Sequence, residues 1–136
     1  MTEREVILVK KSWQSFRNIE PAFIADLFYS KLFMDNPRVR KMFPKNMDEQ
    51  YQKLIAMLSS IVMHASDLSA IDKDIRALGQ RHQQQYHVKP SHYNLVKNAL
   101  LYTLERGLED EWNDEVKQAW TSCYSAITNL MINNGA

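Results

Sequence analysis

The sequence holds a single cysteine, Cys123, in 136 residues. One thiol cannot form an internal disulfide and fits a reducing compartment. It stands in an apolar helical run, so a buried, inert thiol is expected there rather than a nucleophile. Glycine is also scarce: Gly79, Gly107 and Gly135 are the whole set. Three scattered glycines exclude a Gly-rich loop of the kind that cradles phosphate. Excess charge of one sign is missing too. Lys and Arg number 17 against 16 Asp and Glu, a formal net charge of +1, so no broad field recruits nucleic acid or an acidic membrane. No apolar run is long enough to span a bilayer. The opening stretch MTEREVILVKKSW has early acids and no apolar h-region, so no signal peptide is expected. Repeats and low-complexity segments are absent as well. These exclusions lead to one cytoplasmic domain over residues 1–136, with no membrane and no nucleic acid as partner. At 45% hydrophobic and 24% charged residues, the chain can close one core.

What is present is helical periodicity. No segment alternates convincingly with period two, so the fold class is all-α. Thr2 followed by Glu5 has capping-box spacing, and Val6, Val9, Trp13 and Phe16 give a first amphipathic helix. A second, 21–33, opens on Pro21 and is apolar around most of its girth, which implies burial on more than one side. Asp35-Asn36-Pro37 breaks it, and a short helical turn runs on to Pro44. Residues 48–65 form a long helix whose inner stripe is Leu54, Met57, Leu58, Ile61, Val62 and Ala65. Residues 67–74 make a polar connection to the next helix. Pro90 opens another, with Tyr93, Val96, Leu100, Leu101 and Leu104 inward and Gly107 placed to cap its end. The last helix spans 112–132.

Two of these stripes are interrupted by a polar residue. Ile71, Ile75 and Leu78 follow the i, i+4, i+7 rhythm, and the next position is His82, followed on the same face by Tyr86. On spacing alone, a single histidine there is more often a hydrogen-bonded core residue than a ligand. No second histidine stands at i+4, there is no HExxH, and no cysteine is near enough for a zinc site. If His82 does bind metal, the metal must bring most of its own coordination, and haem meets that condition. The stripe of helix 48–65, extended one turn toward its start, reaches Gln50. That residue either points to water from a frayed first turn or faces inward.

The segments FIADLFYSKLFMDNPRVRKMF, DEQYQKLIAML and LGQRHQQQYHVKPSHYNLV, followed by the pairs Ala119-Trp120 and Cys123-Tyr124, carry a family resemblance in this order and at these separations. The chain resembles the globins, specifically bacterial single-domain globins related to the haem domain of flavohaemoglobins, over essentially its whole length. The resemblance implies a globin fold with helices packed around one pocket for haem b, iron protoporphyrin IX. It makes His82 the proximal iron ligand and Phe43 the ring wedged against the porphyrin. Tyr29 becomes the distal tyrosine, Gln50 the polar residue of the distal helix, and Leu54 its apolar neighbour over the iron. Lys53 falls at a position that often reaches a propionate, and Arg81, beside His82, is a second rim cation; two solvated surface cations are the rival account of this pair. Tyr93 packs behind the proximal histidine. Leu54, Met57, Leu78, Val88 and Val96 complete an apolar slot. The segment from His82 to Tyr93 looks one residue longer than usual for this branch. His87 replaces a glycine common there and is left to approach a propionate or the haem edge. A glutamate near the end of the last helix in flavohaemoglobins aligns with Gly135, and the chain stops where a flavin reductase domain would begin.

The function this implies is reversible O₂ binding, storage or transport, with Tyr29 and Gln50 donating to the ligand and NO and CO as further diatomic ligands. His82 is then expected to donate its other ring nitrogen to a carbonyl one turn back, near Leu78. His64, His87 and His92 are set aside as iron ligands by their distance along the chain. The alternatives are an NO dioxygenase that needs a separate reductase, and a gas-ligand sensor.

Overall fold

A computed structural model of the chain describes residues 1–16, 18–84 and 88–132. Six helices carry the architecture: α1 Glu3–Gln14, α2 Pro21–Asp35, α3 Asp48–Met63, α4 Asp72–Gln84, α5 Pro90–Leu108 and α6 Asp114–Ile132. Among the described residues there is no strand. The all-α fold expected from periodicity is the fold observed. No described helix is long and apolar enough to cross a membrane.

Local chemistry explains most of the boundaries. The Thr2 hydroxyl accepts the Glu5 N–H at 3.1 Å and the Glu5 carboxylate accepts the Thr2 N–H at 2.9 Å, closing a reciprocal cap on α1. Pro21 and Pro90 stand first in α2 and α5, where no helical N–H bond is lost. After α2, the Asn36 side chain accepts from Arg38 N–H at 3.1 Å and starts a 3₁₀ turn, Pro37–Met42. The polar connection before α4 contains a second 3₁₀ turn, Leu68–Ile71, so the buried Ile71 precedes the helix proper. At α6 the Asn113 side chain accepts from Val116 N–H at 2.9 Å, so the helix begins two residues later than the hydrophobic pattern suggests.

Gly107 does not cap α5. The helix runs on to Leu108, and Glu109 takes the positive φ of 51° that follows it. Gly107 instead admits the ring of Phe16: a Cβ there would lie 2.3 Å from Phe16 Cε1. Its lack of a side chain serves packing between α5 and the segment that follows α1, which local periodicity cannot show.

In the core α2 packs on α5, α1 and α4 both pack on α6, and α3 packs on α2. Trp120 is almost wholly buried, and its indole donates to the Ser12 hydroxyl at 2.8 Å, tying α6 to α1. Ile24, Phe28, Tyr29 and Leu32 of α2 are buried, whereas Phe23 and Met34 face out. Apolar girth alone overstated how much of α2 is enclosed.

Candidate functional site

Between these helices lies a cavity of about 210 Å³. Phe28 and Leu32 of α2 border it together with Phe43, and α3 contributes Leu54, Met57 and Leu58. Leu78 and His82 come from α4, and Val88 from the segment that follows. Tyr93, Val96 and Leu100 enter from α5, Cys123 and Tyr124 from α6. The wall is thus nearly all apolar, the kind of lining that suits a flat hydrophobic ring system.

His82 reaches the wall from the stripe that begins at Ile71. Its Nδ1 lies 2.9 Å from the Leu78 carbonyl. A carbonyl only accepts, so Nδ1 carries the hydrogen and the lone pair of the neutral ring sits on Nε2. Burial pushes the imidazole below its ordinary value; the Leu78 bond opposes this and the nearby Arg81 charge adds to it. The neutral ring with its lone pair at Nε2 is the form a metal requires. Among the described residues no group of three His, Cys, Asp or Glu is placed to hold a metal. A metal held by His82 must therefore arrive with other ligands, and the apolar slot fits a macrocycle that supplies them.

The position of α4 rests on Gly79. A Cβ there would lie 2.2 Å from the Met131 carbonyl oxygen, so the backbones of α4 and α6 touch at that point. The helix end is held as well: Val88 N–H donates to the His82 carbonyl at 2.8 Å and brings the start of α5 beside His82.

Tyr29 and Gln50 meet. The Gln50 amide donates to the Tyr29 hydroxyl at 3.1 Å, so Gln50 does not simply point to water. Neither is on the lining itself, but Phe28, Phe43 and Leu54, their neighbours, are. Burial pushes the Tyr29 hydroxyl up to about 12, with the Gln50 bond opposing. The phenol therefore keeps its proton at any physiological pH.

The remaining candidates fall in two groups. Phe43, Leu54, Met57, Leu78, Val88, Tyr93 and Val96 all border the cavity. Lys53 does not: its ammonium pairs with Glu49 at 3.3 Å, and its side chain is 61% exposed. Arg81 is exposed and also off the lining. His87, Tyr86 and Gly135 lie outside the described residues. Tyr124 donates to the Tyr93 carbonyl at 2.6 Å, which ties α6 to α5 behind the slot. Burial pushes the Cys123 thiol up to about 11, so the one cysteine is a protonated wall group. Sequence reasoning passed over His92, which borders the cavity. Its place three residues after the cap of α5, immediately before the inward Tyr93, was the available signal.

A helical shell around an apolar slot, with an imidazole in its wall whose Nε2 carries the lone pair, defines a small class of folds. A family model described as Globin matches residues 26–131, and the chain belongs to the globin family. It is 32% identical to a leghemoglobin of Canavalia lineata over 136 residues, 93% of this chain and 90% of that one. It is 23% identical over 135 residues to a flavohemoprotein of Vibrio cholerae serotype O1, covering 97% of this chain but 34% of the relative. The chain thus spans about a third of the flavohemoprotein's length. Among solved structures it is similar to an engineered carbene transferase made from a candidate nitric oxide dioxygenase of Rhodothermus marinus. That likeness has a TM-score of 0.86 and 23% identity, over 98% of this chain and 92% of the other, and it concerns the fold. Membership of the family implies haem.

Proposed function

We propose that this chain is a haem b globin that binds O₂ reversibly, with His82 as the iron ligand and Tyr29 and Gln50 as ligand-stabilising donors. When bound, ferrous haem supplies an open coordination position for O₂, NO or CO. Everything else is the work of the chain. His82 presents Nε2 because the Leu78 carbonyl holds its other ring nitrogen. Phe43 and Leu54 face the ring system, and Met57, Leu78, Val88, Tyr93 and Val96 keep water away from it. Lys53, Arg81 and His87 are assigned to its carboxylate edge.

The direction of the Tyr29–Gln50 bond carries this reading. Gln50 is the donor and Tyr29 the acceptor, so the phenol's own proton is not used. Among the described residues no acceptor meets it. Leaving a buried donor unsatisfied costs about 1–3 kcal/mol. A diatomic ligand with partial negative charge in the adjacent cavity relieves that cost, and the Gln50 bond strengthens the phenol as a donor.

A second reading, NO dioxygenation with electrons from a separate reductase, is favoured by the likeness to the flavohemoprotein over nearly the whole chain. Reconstitution with haem tests the first reading. A Soret band and a reversible O₂ spectrum are expected, and their absence would remove every haem-based reading. Steady nitrate formation with a generic reductase would move the assignment from carrier to enzyme.

A further inference from the structure

We infer that Asp26 is a positioning residue for ligand binding: acting through Tyr51, it holds the Tyr29 phenol and the Gln50 amide in register beside the cavity. The inference deepens the O₂ reading above and rests on it.

Asp26 and Tyr29 stand three apart on α2, and so on one face. Gln50 and Tyr51 are consecutive in the first turn of α3. Two hydrogen bonds join these pairs. The Gln50 amide donates to the Tyr29 hydroxyl at 3.1 Å, and the Tyr51 hydroxyl donates to Asp26 Oδ1 at 3.0 Å. Among the described residues, these are the hydrogen bonds that tie α2 to α3. The Tyr51 ring also lies parallel to the Tyr29 ring, 5.6 Å between centroids and 5° between planes, an offset stack. One turn of α3 therefore grips Tyr29 twice, at its face by Tyr51 and at its hydroxyl by Gln50.

The position of that turn depends on Asp26. Phe28 and Phe33 belong to α2 and move with Tyr29, so they cannot fix α3 against it. Phe43 is held independently, since Arg40 donates to the Phe43 and Pro44 carbonyls at 3.2 and 2.9 Å. Met47, the N-cap of α3, gives its first turn no side-chain bond. The buried residues of α3, Leu58, Ile61 and Val62, hold its later turns. The Asp26 bond is then the polar tie that locates the Tyr51 ring and, one residue before it, the Gln50 amide. Burial and then the Asp26 carboxylate push the Tyr51 hydroxyl up, so it stays a donor. Asp26 is exposed and Tyr51 half-buried, and water competes for such a bond. Its loss should loosen the Tyr29 phenol rather than remove it.

Three variants separate the tie from the packing around it. Tyr51→Phe keeps the stacked ring and removes the hydroxyl, Asp26→Ala removes the acceptor, and Asp26→Asn restores an acceptor oxygen. O₂ and CO release from each holoprotein are timed by stopped flow, and the C–O stretch of the CO complex is read by infrared. Tyr51→Phe and Asp26→Ala should each speed O₂ release about three- to tenfold and move the C–O stretch toward its value in Tyr29→Phe. CO release in both, and O₂ release in Asp26→Asn, should stay within about twofold of the parent. The double variant should be no faster than either single one, because both remove the same bond. In a Tyr29→Phe background neither should change O₂ release further. Parent-like O₂ release in both single variants would overturn the inference. So would an effect that persists without the Tyr29 hydroxyl, which would mark a general shift of α3. Tyr29→Phe that itself releases O₂ at the parent rate would instead overturn the distal reading on which the inference rests.

Discussion

The two sides of the cavity hold their polar groups by different means. His82 is oriented within its own helix by a bond to the carbonyl four residues back. Tyr29 is fixed from several elements at once. The rings of Phe28, Phe43, Tyr51 and Phe33 surround it with centroids at 4.9, 5.5, 5.6 and 5.8 Å, and Gln50 reaches it from α3. Tyr51 is held in turn by its hydroxyl bond to Asp26 at 3.0 Å. The imidazole side is therefore oriented locally and depends on where α4 as a whole is set. The phenol side depends on the mutual packing of α2, the turn after it and α3. A substitution on the first side should act through ligation or helix position, and one on the second through a hydrogen bond in a preformed cage.

Removing the ring on the imidazole side gives the largest effect. His82→Ala deletes the wall imidazole that, among the described residues, is oriented for a metal, so stable haem binding should be lost. A normal five-coordinate deoxy spectrum in that variant would show that another group is the ligand.

On the phenol side the expected effect is smaller and confined to polar ligands. Tyr29→Phe keeps the ring and its cage and removes one donor. A hydrogen bond to a partly charged acceptor contributes about 1.5–3 kcal/mol, so O₂ release should speed up by roughly one to two decades. CO is far less polar, and its release should change much less. Stopped-flow measurement decides this: an unchanged O₂ off-rate with Gln50 intact would remove Tyr29 from the ligand's surroundings.

Gly79→Ala tests whether helix placement governs the imidazole side. Alanine improves helix propensity by about 1 kcal/mol. Against that, its Cβ would lie 2.2 Å from a backbone oxygen of α6, which cannot swing away as a side chain end can. Overpacking typically costs ~1–3 kcal/mol, and a backbone partner puts this case at the upper end, so a net loss near 2 kcal/mol is expected. Urea unfolding measures it, and a shifted Soret band would report the moved His82. An unchanged or raised midpoint would mean that α4 and α6 do not touch at that point.

The same contrast explains what was legible in the sequence. The Leu78 partner of His82 follows from helix geometry, since residues four apart share a face, and it was read from spacing together with the family likeness. The helices, the cap at Thr2 and the apolar wall were legible for the same reason. The Gln50–Tyr29 bond spans 21 residues of sequence, and periodicity left Gln50 evenly balanced between water and the interior. Gly107 was misread as a cap because local rules see its missing side chain but not the Phe16 ring that uses the space. His92 escaped notice because it lies past the helix that carries His82, whereas the Val88 N–H bond to the His82 carbonyl sets the start of α5 beside that residue.

The smallest effect is expected at the two surface cations. Lys53 and Arg81 were drawn to the carboxylate edge of the haem by position alone. In the structure Lys53 is engaged with Glu49 one turn earlier, at 3.3 Å, and both partners are largely exposed. Exposed ion pairs contribute under ~1 kcal/mol and are screened by salt, and the same limit applies to a solvent-facing contact with a propionate. Arg81 follows Gln80 on the exposed face of α4, so its strongest evident influence is its charge, which lowers the His82 imidazole. The double variant Lys53→Ala, Arg81→Ala should therefore change the haem-loss rate by less than about fivefold, with the difference shrinking at high salt. A tenfold or larger acceleration that persists in salt would mean that these side chains leave their surface positions to hold the carboxylates when haem is bound.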